Sequence, residues 1–481
     1  MASIIAIDLG TSRIKTAVFD ETGKMSLIRS QRLDRASSPE IQDAEAWFTV
    51  TASLLRGLTA ETGNHADAVV LTGNMHALLG IGPDGQPVAP ARLWSDNSAQ
   101  EQSAELNRRY DRILLQKFGC RAIPVFTLPK IMQMKQEQPD LYRKSEVFLQ
   151  SKDFVSFRLT GCRVTDPTDA SGVLGMDLSS SQWDADFFRE LGIDVKKLPE
   201  IRPSASVCGH VSAEAAATTG LREGTPVITG SGDLSSAALG SGVNDSTVSL
   251  TLGTAGQLLA AGSPGTGAKL AGKLFVLAHA DPERELYLGS VPSGGFSFEW
   301  FARTHNISVE DFFRLAQTVP LTDNLPLFYP YILGKGAPSM DYTPCGAWKD
   351  LRADHQLKEL CLAAVFGTLC PLRICCDLLE SCAGTRSELV LQALACRETA
   401  VRETAGALFK QKKHLPVNSE ASLLGAAVIG FTALGLYPDI AAAAKTMVKN
   451  LPADLDRSPD AERLFRRFLN GQLDSSQTGL E

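Results

Sequence analysis

The sequence predicts an α/β protein of two domains, and three observations lead to this prediction. The chain has 481 residues, 44 % of them hydrophobic, which exceeds the needs of one small core and suits two. Strand-like and helix-like segments alternate in both halves. A hairpin sequence near the N-terminus, AIDLGTSRIKTAVF, has a related copy, SLTLGTAGQLLAAG, half a chain later. We therefore expect domains at 1–243 and 244–470 and a disordered tail at 471–481.

The first half begins with a strand pair and continues with helices and strands. Ser3–Asp8 and Ile14–Phe19 are rich in β-branched residues and flank a tight turn. Ala44–Thr62 has the pattern of an amphipathic helix, and Ala68–Thr72 has that of a buried strand. The other elements predicted in this half are a largely helical stretch over Asp140–Leu159, a turn and buried strand over Glu223–Thr229, and a small-residue helix over Leu234–Leu239.

The second half repeats the hairpin pattern after Val243-Asn244-Asp245. A strand is expected near Leu389, followed by a helix to about Phe409. The apolar run Ala421–Tyr437 is short for a bilayer and rich in glycine and alanine, so we expect a core helix. No secretory signal is visible, because the first strand carries Asp8 and lacks a basic region. We expect a cytoplasmic protein.

Charge and cysteine content exclude several classes of partner. A net charge of −7 with evenly mixed signs argues against binding nucleic acid or an anionic membrane through bulk electrostatics. The ten cysteines form no C-x-x-C pair, and several fall in an apolar, helical stretch. Buried thiols in a reducing compartment are expected, with a metal or redox site as the alternative.

The repeated hairpin is the most informative feature of the sequence. Gly10 and Gly253 lie 243 positions apart, about half the chain, and each follows a strand and precedes another. Chance remains an alternative reading, because Leu-Gly-Thr is a common tripeptide. The first copy carries Asp8 where the second carries Thr251. Two copies of the turn, with an acid in only one of them, suggest that the two loops face one ligand and that only the first loop binds a cation.

Turns of glycine and hydroxyl residues favour phosphate, because their backbone N–H groups can approach an anion closely. Two such turns across a cleft would hold a polyphosphate from both sides. Asp8 could orient Mg²⁺ through its waters. Lys15 could neutralise phosphate charge or be solvated at a strand edge. A second phosphate pattern, Gly267–Leu274, ends in leucine where a P-loop needs Ser or Thr and precedes a strand, so we reject it.

These segments resemble the FGGY carbohydrate kinases of the sugar kinase/actin/Hsp70 ATPase superfamily. The resemblance runs from Ile4 to about Tyr437 and rests on the number, order and spacing of its motifs. Besides the two hairpins, they are GNMHALLGIGPDGQPVAPARLWSDN, TLPKI, LQSKDFVSFRLTG, VTDPTDASG, GSGDLSSAALGSG and LFYPYILGKGAP. The segments LQSKDFVSFRLTG and VTDPTDASG are closest to xylulokinases. The resemblance implies two ribonuclease-H-like domains and an interdomain cleft where ATP and a sugar meet.

The resemblance identifies Asp233 as the catalytic base. A carboxylate can orient a sugar hydroxyl and take its proton as the new P–O bond forms. Gly230 and Gly232 would leave space for substrate beside it. From the local sequence alone, an N-cap for the following helix is an equal interpretation. The two roles are compatible.

The remaining site residues follow from the same resemblance. Met75 and His76 are expected to touch the sugar, His76 as a hydrogen-bond donor and Met75 as an adaptable wall, with a satisfied structural histidine as the alternative for His76. Trp94 and Asp96 would complete the pocket, although either could be a core or capping residue. Asp8 and Asp233 would hold Mg²⁺. The expected nucleotide-binding residues are Gly10, Thr11, Ser12, Lys15, Gly253, Thr254, Gly295, Ala395 and Cys396.

The sequence departs from the family pattern at three places. Ala393-Leu394-Ala395 stands where the adenosine site has a run of glycines, and side chains there would push the backbone away from the nucleotide or force different dihedral angles. Lys335 replaces an acid after a glycine, and Ser98 stands where many relatives have arginine. A carboxylate-bearing substrate would need a nearby cation, so the last change weakens an aldonate assignment.

The predicted function is phosphorylation of a small sugar hydroxyl by Mg²⁺–ATP, with a ketopentose such as xylulose as the first candidate. Gluconate or a polyol is the alternative substrate within the same chemistry. The alternative from a different functional class is a catalytically weak sugar-binding protein, which residues 393–396 suggest. Domain closure is expected, because phosphoryl transfer needs water excluded. A homodimer is an assembly that the sequence leaves open.

Overall fold

The structure, a computed structural model, describes residues 2–33, 38–63 and 66–476, with the side chains of 473–476 excepted. The strands of the first half are β1 (Ser3–Leu9), β2 (Arg13–Asp20), β3 (Met25–Arg32), β4 (Ile41–Gln42), β5 (Ala68–Gly73), β6 (Leu79–Ile81), β7 (Ala91–Arg92), β8 (Val147–Leu149), β9 (Val164–Thr165), β10 (Met176–Asp177), β11 (Gln182–Trp183), β12 (Glu200–Ile201), β13 (Val207–His210) and β14 (Pro226–Gly232). Its helices are α1 (Ala44–Thr62), α2 (Gln100–Lys117), α3 (Thr127–Glu137), α4 (Pro139–Lys144), α5 (Ser151–Thr160), α6 (Pro167–Val173), α7 (Ala185–Glu190), α8 (Ala213–Thr219) and α9 (Asp233–Gly240).

The second half has fewer strands and longer helices. Its strands are β15 (Thr247–Leu252), β16 (Gly256–Gly262), β17 (Phe275–Ala278), β18 (Glu285–Val291), β19 (Leu327–Tyr329), β20 (Ala347–Lys349), β21 (Glu388–Ala393), β22 (Lys412–Pro416) and β23 (Asn450–Ala453). Its helices are α10 (Phe296–Thr304), α11 (Val309–Ala316), α12 (Leu357–Ala383), α13 (Leu394–Arg397), α14 (Thr399–Leu408), α15 (Ala421–Ala433), α16 (Ile440–Met447) and α17 (Pro459–Ser476). Short 3-10 helices occupy Val195–Lys197 and Thr266–Lys269.

The two large sheets share one topology. The first runs β3-β2-β1-β5-β14-β13, and the second contains β18-β16-β15-β21-β22-β23 with β17 added at its edge. In both, the hairpin strands pair antiparallel, the next two strands join in parallel, and the last strand is antiparallel again. The sequence repeat is therefore a structural repeat, and the two hairpins occupy equivalent places in two sheets.

Strand β1 is buried on both faces, which explains its near-continuous apolar sequence. Ile5 and Ile7 belong to the core formed with α1 and α5, whereas Ile4 and Ala6 pack in the core formed with α15. Neighbouring residues of a strand point to opposite faces, so the first sheet lies between these helices. The predicted core helix over Ala421–Tyr437 is confirmed as α15, but it covers the sheet of the first half.

Glycine permits the close crossing of α9 and α15. A Cβ atom on Gly240 would lie 1.9 Å from the Ala421 carbonyl oxygen, and one on Gly425 would lie 1.8 Å from the Ser236 carbonyl oxygen. No side chain fits at either place. A hydrogen bond just after α9 also joins the two halves. In it, Gln392 Nε2 donates to Ser241 Oγ at 3.0 Å.

Helix α12 is the centre of the second core. It is the one helix among the described residues that is long and apolar enough to cross a membrane, yet its side chains are mostly buried against the second sheet. It holds Cys361, Cys370, Cys375 and Cys376, all buried. All ten cysteines lie in the described ranges and are free thiols. Six are buried, as the sequence predicts, whereas Cys162, Cys382 and Cys396 are partly exposed and Cys345 is exposed.

Most predicted elements form, with two corrections. Helix α1 has the predicted bounds, and Phe275–Ala278 is the strand that argued against a P-loop. The stretch Asp140–Leu159 is not one helix, because the buried strand β8 separates α4 from α5. The prediction of a disordered tail over 471–481 is wrong for 471–476, since α17 continues to Ser476 and Lys349 Nζ donates to the Gly471 carbonyl at 2.6 Å. Residues 477–481 lie outside the described residues.

Candidate active site

The candidate site lies at the carboxyl ends of three parallel strands of the first sheet. Asp8 on β1 is level with Thr72 on β5, and Thr72 is level with Ser231 on β14. Neighbouring strands are about 4.8 Å apart, so β1 and β14 are about 10 Å apart. Asp233 follows two residues after Ser231. The sheet thus brings Asp8 and Asp233 to one edge, although they are far apart in sequence.

A β-bulge determines where Asp233 lies. The register of β14 against β5 shifts between Ile228 and Ser231, and Gly230 within the bulge has φ 73°. A Cβ on Gly230 would lie 1.8 Å from the Leu71 carbonyl oxygen. A Cβ on Gly232 would lie 2.7 Å from Met75 Cγ. The expectation that these glycines leave room for substrate is wrong, because protein atoms fill that space.

Asp233 is the first residue of α9 and is partly exposed. The N-cap position belongs to Gly232, and no side chain makes a capping bond there, so the capping interpretation of Asp233 is not supported. Burial raises the pKa of Asp233 to about 7, the negative charge of Asp8 adds to the rise, and backbone N–H groups of Leu234 and Asp233 oppose it. A carboxyl with this pKa can accept a proton near neutral pH.

The carboxyl of Asp8 faces a cation and an anion. Lys15 is level with Asp8 across the hairpin, and its Nζ lies 2.5 Å from Glu420 Oε2 at the start of α15. Burial raises the pKa of Asp8 to about 6, with Lys15 lowering it and Glu420 raising it. Lys15 is therefore not simply solvated at a strand edge. It already has an anionic partner that a phosphate would have to share or displace.

The residues at this edge fit Mg²⁺. Asp8 and Asp233 supply carboxylate oxygens, the ligands that Mg²⁺ prefers, and the charge of Asp8 helps to raise the pKa of Asp233, so the two carboxyl groups lie close enough to interact. In the part of the chain that the structure describes, no group of three or more His, Cys, Asp or Glu side chains could hold a metal alone. Such a site suits Mg²⁺ bound jointly with phosphate oxygens and water.

The His76 ring offers a hydrogen-bond acceptor at Nε2. Its Nδ1 lies 2.8 Å from the Gly172 carbonyl oxygen, which can only accept, so Nδ1 carries the proton. Burial lowers the pKa of His76 to about 4, and Lys130 lowers it further, so the ring is neutral. Nε2 therefore accepts a hydrogen bond. The expectation that His76 donates to a sugar hydroxyl is wrong for this reason.

Two further features fix His76 and its neighbour. His76 has φ 67°, a backbone conformation uncommon for a residue with a side chain. The ring makes an edge contact with Phe126. Met75 is only 4 % exposed and lies close to Gly172 and Gly232, so little of its side chain is open to a sugar.

Trp94 connects the two predicted subsites. Its indole Nε1 donates to Thr11 Oγ1 at 2.9 Å, and the side chain is 47 % exposed. Thr11 is at the tip of the first hairpin, which we expect to bind phosphate. Trp94 is thus about half exposed, while its N–H fixes the ring beside the hairpin.

Asp96 is bound to an arginine that the sequence motif did not suggest. Arg92 Nε donates to Asp96 Oδ2 at 2.6 Å, and the Ser98 N–H donates to Asp96 Oδ1 at 2.9 Å. Burial raises the pKa of Asp96, but hydrogen bonds from Ser98 and Arg92 outweigh it and hold the pKa below its usual value. Arg92 also donates to Ser98 Oγ at 2.7 Å. A guanidinium is thus present beside Ser98, but it is already paired.

Lys130 is a site-forming residue that sequence reasoning missed. Its fully buried Nζ donates to the His76 carbonyl at 2.9 Å and to the Leu93 carbonyl at 2.5 Å. It therefore joins the loop of His76 to the segment of Trp94. Burial lowers the pKa of Lys130 to about 7. The available signal was a lone lysine in the apolar stretch TLPKIMQM.

The second hairpin is supported by the turn before α10. Gly295 N–H donates to the Gly253 carbonyl at 2.7 Å, and Phe296 N–H donates to the Thr254 carbonyl at 3.1 Å. A Cβ on Gly294 would lie 2.2 Å from Gly256 N. Gly295 therefore supports the hairpin, while Thr254 is exposed at its tip.

The departure from the glycine run has a visible backbone consequence. Ala393 is level with Leu252, next to the second hairpin, and adopts φ 53° and ψ −126°. Residues with a side chain rarely adopt this conformation. Ala393 thus keeps a glycine-type turn in spite of its methyl group. The expectation that a side chain here forces dihedral angles different from those of a glycine run is wrong at this residue.

The residues after Ala393 divide between core and surface. Ala395 is fully buried in the second core, so its side chain does not face the hairpin, whereas Cys396 is partly exposed. Leu394 contacts Gly295 and lines a cavity of about 390 Å³. The other lining residues are Val309, Glu310, Phe313, Arg314, Gln317 and Glu398.

Comparison with known proteins shows what this arrangement is similar to. Residues 3–240 match the N-terminal domain of the FGGY family of carbohydrate kinases. The xylulose kinase of Bacillus subtilis is 26 % identical over 478 residues, with 97 % of this chain and 95 % of that protein covered.

Two solved structures from Lactobacillus acidophilus have the same fold. A ligand-bound xylulose kinase and a gluconate kinase each have a TM-score of 0.90 at 23 % identity, with 99 % of both chains covered. They confirm the predicted α/β fold with two actin-like ATPase domains. The match of residues 3–240 and the relative that spans nearly the whole chain show that this chain belongs to the FGGY family of carbohydrate kinases.

Proposed function

We propose that this carbohydrate kinase transfers the γ-phosphate of ATP to a hydroxyl of a ketopentose, with xylulose as the first candidate. The observation that carries the proposal is Asp233, a partly exposed carboxyl with a pKa of about 7 at one sheet edge with Asp8. The names of the relatives support the choice of xylulose.

In the proposed reaction, Asp233 acts as the general base. Its carboxylate accepts the hydrogen bond of the reacting hydroxyl and takes the proton while the hydroxyl oxygen bonds to the γ-phosphorus. The bond between that phosphorus and the bridging oxygen breaks, and ADP leaves with the electron pair. Bases of this kind contribute about 10²–10⁴-fold to rate.

The first half would bind the sugar. Nε2 of the neutral His76 accepts a hydrogen bond from one hydroxyl. The exposed face of Trp94 covers the C–H surface of the sugar, and its N–H remains on Thr11. Lys130 fixes the relative position of both residues.

The two hairpins would bind the triphosphate from opposite sides. Gly10–Ser12 and Gly253–Thr254 offer backbone N–H groups and hydroxyls, and Lys15 adds a positive charge. Asp8 and Asp233 would hold Mg²⁺, which when bound neutralises phosphate charge. The cavity beside Leu394 is large enough for a nucleoside, and its apolar residues suit a base.

A neutral sugar fits the site better than an aldonate. A gluconate carboxylate would need a free cation, and Arg92 is already paired with Asp96. The similarity to a gluconate kinase structure concerns the fold. Gluconate or a polyol is therefore the second substrate candidate.

A sugar-binding protein with weak catalysis is the alternative from another class. The strained turn at Ala393 supports it, because it adjoins the proposed nucleotide site. The presence of Asp8, both hairpins and Asp233 at their expected places supports an active kinase.

A coupled ADP-release assay separates these functions. We expect turnover with D-xylulose to exceed that with gluconate and polyols by at least about tenfold, and Asp233→Ala to lose turnover while still binding sugar by calorimetry. Highest turnover with gluconate favours the second candidate. Sugar binding without ADP release from any sugar contradicts kinase function.

Further expectations concern the organisation of the protein. We place the boundary between the halves at 243/244, where α9 has ended and β15 has not begun, with α15 returning to the first half.

A cytoplasmic location agrees with ten free thiols. We keep the small-molecule sugar as the main partner. Size-exclusion chromatography tests whether a homodimer forms.

A further inference from the structure

The backbone immediately before Asp233 is held by a threonine from another element. The Gly232 N–H donates to Thr168 Oγ1 at 2.7 Å. Thr168 lies on α6, 64 positions earlier in sequence, and is fully buried. Gly232 is the last residue of β14, and the helix that carries Asp233 begins after it. The contact is thus made where the bulged strand turns into the helix.

Thr168 is itself held in one orientation. Its hydroxyl donates to Asp166 Oδ2 at 2.7 Å, and its backbone N–H donates to the same oxygen at 2.9 Å. The hydroxyl therefore donates to Asp166 and accepts from Gly232, and both bonds are short. A buried hydroxyl with both roles filled has little freedom to rotate.

Asp166 is anchored by two more buried groups. Ser204 Oγ donates to its Oδ2 at 2.8 Å, and Lys152 Nζ lies 3.0 Å from its Oδ1. The same ammonium lies 2.6 Å from Asp153 Oδ1 and 3.2 Å from Asp169 Oδ2. All these side chains are buried. One lysine thus faces three carboxyl groups inside the first half, next to the strand that leads to Asp233.

Capping of α6 does not account for this arrangement. Asp166 is the N-cap of α6 and accepts the N–H groups of Thr168 and Asp169, which is sufficient to begin the helix. The bond from Gly232 to Thr168 adds nothing to that cap. Buried ionic clusters are also costly to form and are weak evidence for stability alone. The cluster therefore calls for another role.

We propose that Thr168 is a positioning residue for phosphoryl transfer, which fixes the Gly232–Asp233 backbone through a relay from Lys152 and Asp166. The inference rests on the proposed function only in naming Asp233 as the base. The relay sets the direction from which the carboxyl meets the sugar hydroxyl. Thr168 does not touch substrate. Misplacement of a reacting group by about 1 Å can cost about 10²-fold in rate.

The test compares two variants of Thr168 with a matched control. Thr168→Val keeps the shape and removes the hydroxyl, and Thr168→Ser keeps the hydroxyl. Thr219→Val is the control, because Thr219 is also fully buried, donates to the Ala215 carbonyl at 2.7 Å and accepts from the Leu221 N–H at 3.2 Å. Thr219 is on α8, away from the site.

We expect Thr168→Val to lower kcat by about 10–100-fold with KM for the sugar changed less than about threefold. Thr168→Ser should keep kcat within about threefold of the wild type. Thr219→Val should lose similar stability in denaturant but keep kcat. Equal kcat for Thr168→Val and wild type overturns the inference and leaves the kinase assignment intact.

Hydrogen exchange supplies a readout that does not need turnover. We expect the peptide that covers 226–239 to exchange faster in Thr168→Val, and at the wild-type rate in Thr168→Ser and Thr219→Val. Unchanged exchange of this peptide in a folded Thr168→Val protein overturns the relay. If the wild type shows no turnover, the proposed function is contradicted. Hydrogen exchange of the peptide 226–239 in Thr168→Val still tests the relay in that case.

Discussion

The Nζ of Lys15 lies 2.5 Å from Oε2 of Glu420, which ties the first hairpin to the helix α15 that enters from the second half. The pair is partly buried, and both charges influence Asp8. Lys15 is thus held at the hairpin before any phosphate arrives. The pair limits its charge toward an incoming triphosphate.

Removing either partner should change ATP binding in opposite directions. Glu420→Gln frees Lys15, so we expect the Kd for ATP to fall by about 3–10-fold. Lys15→Met removes the charge, so we expect Kd to rise by at least about tenfold. Isothermal titration calorimetry at low salt measures both.

An ion pair remote from the site serves as the control. Arg163 NH1 lies 2.8 Å from Glu146 Oε2 in an exposed pair. Glu146→Gln should leave the Kd for ATP unchanged. Weaker ATP binding in Glu420→Gln would show that Glu420 supports the nucleotide site and does not compete for Lys15.

The carboxyl groups at the sheet edge predict how stability depends on pH. Asp8 and Asp233 have folded pKa values of about 6 and about 7, above the ordinary value of 3.8. Between pH 4 and 7 the folded state therefore binds more protons than the unfolded state. The contribution of these groups to the free energy of unfolding falls as pH rises through this window. Asp233→Asn should reduce this fall in metal-free protein, as urea titrations at pH 5 and pH 8 measure.

Magnesium should reverse this loss. Mg²⁺ binds the ionised carboxylates, so we expect it to raise Tm by about 1–3 °C at pH 8 and by less at pH 5. The rise should disappear in Asp8→Asn and after addition of EDTA. An equal rise in Asp8→Asn would place the Mg²⁺ site elsewhere.

Ala393→Gly should stabilise the protein. The present backbone conformation costs about 1–3 kcal/mol for a residue with a side chain, and the extra unfolded-state freedom of glycine offsets about 0.5–1 kcal/mol. We expect a net gain of about 1 kcal/mol in the free energy of unfolding, together with tighter ATP binding. Denaturant titration and calorimetry measure the two effects.

Ala395→Gly is the matched control for this change. Ala395 is two residues away, in α13 and fully buried, and has no unusual φ. Glycine there should destabilise the protein by about 1 kcal/mol. A destabilised Ala393→Gly protein would show that the turn is not strained.

His76→Asn should weaken sugar binding about 10–100-fold, because the amide does not reproduce the position of Nε2. Since the pKa of His76 is about 4, the ring is neutral from pH 5.5 to 8. The ratio of variant to wild-type Kd should therefore be constant over this range by calorimetry. A ratio that changes as pH falls through 6.5 would show a charged imidazole.

The sequence predicted elements where a local pattern determines structure. Alternating and continuous apolar runs identified β1, β5 and α1, and glycine-hydroxyl turns identified both hairpins. Nothing local in Asp140–Leu159 marked β8, because Val147–Leu149 fits a buried strand or a helix equally well. The covering of the first sheet by α15 depends on contacts across most of the chain, so periodicity could not reveal it.

The candidate site shows the same difference between features that a local sequence pattern predicts and features that depend on contacts between distant segments. Asp8 and Asp233 were identified from their motifs, but the hydrogen-bond direction at His76 depends on the Gly172 carbonyl, which lies 96 residues away. Gly230 and Gly232 were expected to leave space for substrate, but Leu71 on β5 and Met75 fill that space. The contacts of Lys130 and Thr168 likewise join segments that are distant in sequence.

A crystal structure with a non-hydrolysable ATP analogue, Mg²⁺ and D-xylulose tests the central claim most directly. The account predicts the triphosphate between Gly10–Ser12 and Gly253–Thr254, with the Asp233 carboxyl at hydrogen-bond distance, about 3 Å, from one sugar hydroxyl. A triphosphate that contacts only one hairpin, or a sugar bound with no hydroxyl near Asp233, would contradict it.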